Sequence, residues 1–210
     1  ALKVWTILLA ILAFSLSLLG TFLVRSGVLT SVHTFASDPS RGVFILAILV
    51  FFIGGSLALF AWRAPALKQG GLFAPISREG ALVLNNLLLT VACATVLFGT
   101  LYPLALEVLT GIKRSVGAPF FNVTFGPLFM LLLIAVPFGP MLAWKRGDLL
   151  GAAQRLMAAG IASLIAIALL YAWTYGGSTF APLAIGLAVF VIGGALSHLA
   201  ERMALFRVPL

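Results

Sequence analysis

The chain has 210 residues, of which 62% are hydrophobic and only 9% are charged. Soluble domains carry about a quarter charged residues, so this composition excludes a soluble domain and predicts an integral membrane protein. The net charge of +8 is typical of nucleic-acid binding in soluble proteins, but here the basic residues lie between apolar runs, which favours a role in membrane orientation. The chain begins ALKVW, without an initiator methionine, and we expect it to be part of a longer protein.

Runs without a charged residue mark the expected membrane spans, because a bilayer requires about 20 apolar residues per helix. The last run, residues 156–200, is long enough for two helices, and TYGGST at 174–179 supplies the turn between them. The runs are continuously apolar and not alternating, which excludes strands. We predict an all-α bundle of six transmembrane helices that forms a single domain over residues 1–210, with helices at about 4–24, 43–62, 81–102, 124–144, 156–173 and 180–200.

The distribution of lysine and arginine predicts the orientation of the bundle, since cytoplasmic loops carry an excess of both. One side of the predicted bundle holds Lys3, Arg63, Lys68, Arg78, Lys145, Arg146, Arg155, Arg202 and Arg207. The other side holds only Arg25, Arg41, Lys113 and Arg114. Both ends of the chain are therefore expected on the cytoplasmic side, and the loop at residues 25–41 on the outer side.

The outer loop between the first two spans has an amphipathic pattern. On a helical wheel, residues 28–36 place valine, leucine and phenylalanine on one face and serine and threonine on the other, which predicts a short surface helix. His33 lies at the rim of the apolar face, about 40° from Leu29 at 100° per residue. Ser37 or Asp38 is expected to cap the next helix, with Pro39 near its first turn.

A histidine at the membrane surface suits haem, which combines an apolar ring, two propionates and an iron that accepts imidazole as an axial ligand. Arg25 and Arg41 are candidate charge partners for the propionates. The simpler interpretation is that His33 is an interfacial polar residue and that both arginines extend from helix ends towards water. The chain contains no HExxH, phosphate-binding loop or dinucleotide-binding motif that would favour another chemistry.

Two further features bear on the spans. Asn85 and Asn86 lie within the third span, where buried amides usually hydrogen-bond to neighbouring helices; the alternative is a proton or substrate path. Three prolines are expected to bend the fourth helix. They are Pro127, Pro137 and Pro140.

The stretch FSLSLLGTFLVRSGVLTSVHTFASDPSRG at residues 14–42 closely resembles the CcmF-type cytochrome c-type biogenesis proteins, which are haem lyase subunits of bacterial and plant-organelle cytochrome c maturation. Further stretches similar to that family follow in the same order, and together they cover essentially the whole chain. They are SREGALVLNNLLL at 77–89, GTLYPL at 99–104, SVGAPFFN at 115–122 and LAER at 199–202.

The resemblance implies that His33 is an axial ligand of haem iron (haem b) on the periplasmic face, with Arg25 and Arg41 as propionate contacts. In the family this histidine is paired with a second histidine that precedes a tryptophan-rich WWD segment. That second histidine and the WWD segment would lie before Ala1. His198 does not match a family haem ligand and is expected to be an interfacial residue.

The resemblance further implies a function in cytochrome c maturation at the bacterial inner membrane, within a haem lyase complex that forms thioether bonds. The expected partners are a haem chaperone and apocytochrome c on the periplasmic side, CcmH-type and CcmE-type maturation subunits, and the lipid bilayer, with no nucleic acid. The substrate would supply the thiols, so no catalytic residue is predicted in this chain. A membrane transporter and a structural membrane subunit without haem stay open as alternatives.

Overall fold

The structure, a computed structural model, describes residues 2–26, 39–67, 71–112, 114, 116–174, 177 and 180–203. These residues form helices and connecting turns, and no strand occurs among them. The helices are α1 Lys3–Arg25, α2 Pro39–Arg63, α3 Arg78–Thr110, α4 Ala118–Ala135, α5 Phe138–Met141, α6 Leu149–Arg155, α7 Met157–Trp173 and α8 Phe180–Arg202, with a 3-10 turn at Ala64–Ala66.

Six helical segments of the described chain are long and apolar enough to cross a membrane. They are Lys3–Arg25, Ser40–Ala66, Arg78–Thr110, Ala118–Met141, Leu149–Trp173 and Phe180–Arg202. The predicted fold class, an all-α protein with six membrane-spanning helices, is therefore confirmed. The predicted surface helix at residues 28–36 lies outside the described residues.

The chain divides into two compact units, Ala1–Gly71 and Leu72–Leu210, where the sequence predicted a single domain. The first unit is a hairpin of α1 and α2. No residue of α1 is buried, and Phe14 meets Phe52 of α2 edge to face, with ring centroids 6.5 Å apart. The hairpin thus leaves its apolar side chains half-buried or exposed, as expected for helices that face lipid.

The second unit contains the helix pair α7 and α8, which pack through small residues. A Cβ atom on Gly186 would lie 2.1 Å from Cγ1 of Ile167, so only glycine permits the observed approach. Beside it the buried hydroxyl of Ser163 donates a hydrogen bond to the Gly186 carbonyl oxygen at 2.6 Å. Small residues and hydroxyl-to-backbone bonds are how helices associate in lipid, where burial of apolar surface offers little driving force.

The helix bounds differ most from the prediction around the prolines. The helix predicted to end at residue 102 runs through Pro103 to Thr110, where Gly111 adopts a left-handed conformation with φ of 69° and closes the helix. One proline inside a long apolar helix removes a hydrogen bond but does not end it when the flanking turns are good helix formers.

The helix predicted at 124–144 begins earlier, at Ala118, and stops at Ala135. Pro137 and Pro140 follow within five residues, and the chain continues as the single turn α5 before it becomes extended at Leu142. Two prolines this close leave neighbouring backbone positions without an N–H donor, so the helix breaks where only a bend was expected. Pro127 lies inside α4 without ending it.

Candidate functional site

The predicted site lies at the loop end of the α1–α2 hairpin. Arg25 is the last residue of α1. Helix α2 begins at Pro39, which SDPS predicted to lie near its first turn, and so starts earlier than the predicted bound at residue 43. The two helix ends approach closely, because a Cβ atom on Gly42 would lie 3.1 Å from the Cα of Ser26. Gly42 is buried at this contact, so a glycine early in α2 is what allows the helices to converge here.

This convergence brings Arg25 and Arg41 to the same end of the hairpin, as the propionate hypothesis requires. Arg25 is half-buried and Arg41 is exposed. The segment that joins them, residues 27–38, carries His33, and the histidine lies outside the described residues. The proximity of the two helix ends does not test these roles, so the propionate contacts of Arg25 and Arg41 and the axial ligand role of His33 stay predictions.

A second polar region lies in the second unit, at the start of α3. Ser77 is fully buried and caps the helix: its hydroxyl accepts a hydrogen bond from the Gly80 N–H at 3.0 Å and donates one to the Ala74 carbonyl at 2.7 Å. Gly80 packs directly on the preceding chain, since a Cβ there would lie 2.0 Å from the Pro75 carbonyl oxygen. The first turn of α3 is therefore closely held.

The segment before α3 also pairs with the loop after α5, residues 143–147. The carboxylate of Glu79 accepts a hydrogen bond from the Lys145 backbone N–H at 2.7 Å, which helps to hold Lys145 in a left-handed conformation with φ of 64°. Three backbone bonds add to this pairing: Ala74 N–H to Lys145 carbonyl at 2.8 Å, Arg78 N–H to Ala143 carbonyl at 3.0 Å, and Gly147 N–H to Ile76 carbonyl at 2.7 Å.

The side chain of Arg78 extends from this paired segment. Its guanidinium donates a hydrogen bond to the Pro140 carbonyl. This carbonyl belongs to the last turn of α5, where carbonyl groups have no N–H partner within the helix. The same guanidinium lies 5.3 Å from the ring centroid of Trp144, within the range of a cation–π contact. Arg78 makes no ion pair with any described residue.

A cavity of about 730 Å³ lies beside Arg78. Its walls come from the first turns of α3, from α5 and the residues around it, and from the last turns of α8. Apolar side chains predominate, and the polar exceptions among the described residues are Arg78, Asn85, Trp144, His198 and Arg202. The volume falls within the range of roughly 300–1,000 Å³ that is usual for small-molecule sites.

Two residues that the sequence singled out, His198 and Asn85, line this cavity. His198, expected to be an interfacial histidine, is half-buried in the cavity wall beside Arg202. The amide of Asn85 donates to the Asn86 side chain at 3.4 Å within the same helix, and no bond from either side chain to a neighbouring helix occurs among the described residues. The expected bonding of these amides between helices is therefore not observed.

Sequence reasoning missed the roles of Ser77, Arg78 and Trp144. Ser77, followed by Arg78 and Glu79 at the start of an apolar run, is a typical helix start signal. This signal could have placed the first turn of α3 at residue 78. The contact of Arg78 with residues 140 and 144 depends on tertiary structure. Among the described residues, no group of three or more histidine, cysteine or acidic side chains could hold a metal ion.

Comparison with known proteins finds relatives over the whole chain. The chain is 77% identical to the cytochrome c-type biogenesis protein CycK of Bradyrhizobium diazoefficiens over 210 residues, which are all of this chain and 32% of that protein. It is 68% identical to the CycK protein of Rhizobium meliloti over 208 residues, 99% of this chain and 31% of the relative. It is also 46% identical to the cytochrome c-type biogenesis protein CcmF of Escherichia coli over 187 residues, 89% of this chain and 29% of the relative.

No family model matches the chain, and no solved structure matches it. The chain spans about a third of the length of the curated relatives that it matches. Identity of this degree over the full chain establishes common descent, and the stretches that first suggested the family lie within the aligned residues. The chain belongs to the CcmF-type cytochrome c-type biogenesis proteins, of which it represents one multi-pass membrane segment.

Proposed function

We propose that this segment positions haem at the outer face of the bacterial inner membrane for covalent attachment to apocytochrome c. The observation that supports the proposal is the convergence of the α1 and α2 ends, which puts Arg25 and Arg41 at the same end of the hairpin. In the sequence, His33 lies between these two arginines. Membership of a cytochrome c-type biogenesis family supports it.

The chemistry assigns this chain a positioning role. In thioether formation a substrate thiol adds across a haem vinyl group, so that a carbon–sulfur bond forms and the thiol proton moves to the neighbouring carbon. Both cysteines come from the CxxCH motif of the apocytochrome, which therefore supplies the nucleophiles. His33 would hold the haem iron axially while the arginines fix the propionate edge, and holding reactants in register can supply a large part of a rate enhancement.

The proposal places the segment in a haem lyase complex. Its partners would be a haem chaperone and apocytochrome c on the periplasmic side and CcmH-type and CcmE-type subunits in the membrane. The loop end of the first unit would face the periplasm, because lysine and arginine are scarcer there than at the opposite ends of the spans.

The test measures the amount of haem that is covalently attached to cytochrome c in cells that carry full-length variants. His33→Ala is expected to lower haem transfer far more than it lowers the amount of protein in the membrane. Added imidazole is expected to restore part of the activity by filling the vacant axial position. Normal cytochrome c and an unchanged absorbance spectrum of the purified complex would refute the role of His33 and favour a structural membrane subunit.

Arg25→Gln and Arg41→Gln test the propionate contacts separately. Each is expected to reduce haem retention or cytochrome c yield while membrane insertion stays normal. Arg63→Gln is the matched control, because Arg63 ends α2 at the opposite end of the same hairpin and contacts the Trp62 ring at 5.2 Å. Equal haem content in all three variants would make Arg25 and Arg41 simple interface anchors.

A further inference from the structure

The cavity beside α3 and α8 combines an apolar wall with cationic groups at one end. Arg78 is the first residue of α3 and Arg202 is the last residue of α8. Both line the cavity, so the start of α3 and the end of α8 lie on the same side of the second unit. His198 lies one turn before Arg202, and Asn85 lies two turns into α3. The polar groups thus lead inward from the end of the helices along a wall that is otherwise apolar.

No described acidic side chain lines this cavity. Two neighbouring carboxylates have other partners: Glu79 accepts the Lys145 N–H at 2.7 Å, and Glu201 pairs with Arg155 at 3.5 Å. Asp148 precedes the wall residue Leu149 but does not itself line the cavity. Arg202 and His198 make no hydrogen bond or ion pair with a described residue, and Arg78 contacts only a carbonyl and an aromatic ring. The two arginines therefore lack an anionic partner within the described chain.

A partly buried guanidinium without a counter-ion at a membrane interface is costly, because charge is poorly solvated there. Arg78 is half-buried, and its Nε–H is buried without an acceptor among the described residues. An anion in the cavity would supply the missing charge partner, and phosphate oxygens are good acceptors for arginine. A purely water-soluble anion would leave the apolar wall uncovered.

We propose that the cavity binds an anionic phospholipid, with its phosphate headgroup at Arg78, His198 and Arg202 and an acyl chain along the wall formed by Leu84, Ala135 and Phe138. The location favours a lipid, since the cavity is lined by the first residue of one candidate membrane span and the last residue of another, and headgroups lie at the ends of spans. Basic pockets between membrane helices are known sites for acidic headgroups. The proposed site lies wholly within the second unit and does not depend on the role of His33.

The headgroup contacts are tested by native mass spectrometry of the full-length protein released from nanodiscs of phosphatidylglycerol and phosphatidylcholine. The wild-type protein is expected to retain phosphatidylglycerol preferentially. The double variant Arg202→Gln and His198→Gln is expected to retain about tenfold less, because it loses charge-assisted bonds to the phosphate. Arg155→Gln is the matched control. Arg155 is a cation at the same end of the second unit, but it pairs with Glu201 and does not line the cavity.

The acyl-chain contact is tested by Ala135→Phe, which fills the apolar wall and changes no charge. Phosphatidylglycerol retention is expected to fall in this variant as well, while the helical circular dichroism and the elution volume stay as in the wild type. A free phosphate site predicts a different result, in which millimolar inorganic phosphate stabilises the protein in detergent and Ala135→Phe has no effect. That result, or equal lipid retention in the double variant and in Arg155→Gln, would overturn the proposal.

Discussion

Replacing Ser77 by alanine is expected to destabilise the second unit through the start of α3. The substitution removes the acceptor of the Gly80 N–H at 3.0 Å and the donor to the Ala74 carbonyl at 2.7 Å. Loss of an N-terminal cap costs about 1 kcal/mol, and a neutral hydrogen bond contributes about 1 kcal/mol more. Ser77 is 0% exposed, so water cannot replace either bond without rearrangement, and we expect a total of about 2 kcal/mol.

The assay is unfolding of the full-length protein by SDS in mixed micelles, followed by far-ultraviolet circular dichroism. Thr100→Ala is the matched control, because Thr100 lies on the same helix and its hydroxyl donates to the Val96 carbonyl at 2.7 Å from an exposed position. The control is expected to change the free energy of unfolding by less than about 0.5 kcal/mol. Equal stability of the two variants would refute the reasoning, since the burial of Ser77 and its two partners would then contribute nothing measurable.

The remaining predictions concern helix packing and orientation. Gly186→Ala is expected to lower the free energy of unfolding by about 1–3 kcal/mol through overpacking against Ile167. Gly160→Ala in the same helix pair is expected to be neutral or stabilising, because a Cβ there meets nothing within 4 Å. Similar SDS midpoints for the two variants would contradict the packing argument. Reporter fusions in full-length protein are expected to read outside at Ser37 and inside at Gly70, and the reverse pattern would refute the orientation inferred from lysine and arginine.

Much of the architecture follows from the sequence because membrane spans depend on local composition. An apolar run of about 20 residues can satisfy its backbone in lipid only as a helix, so each predicted span has a counterpart among the helices of the described chain. The start of α2 at Pro39 was likewise readable from local turn chemistry. The family resemblance in residues 14–42 pointed to the outer loop, and Arg25 and Arg41 lie at the predicted end of the first hairpin.

Only the tertiary structure decided where helices interrupted by proline end and which distant residues meet. The chain continues as a helix through the single Pro103 yet breaks before the closely spaced Pro137 and Pro140. Hydropathy does not predict this difference, because all three prolines lie in apolar runs. The cavity brings together Arg78 and Arg202, which are far apart in sequence but meet because α3 begins and α8 ends at the same end of the second unit. Contacts of this kind arise from packing between helices, for which hydropathy carries no information, so the sequence did not indicate that His198 lines a cavity together with Arg78 and Arg202.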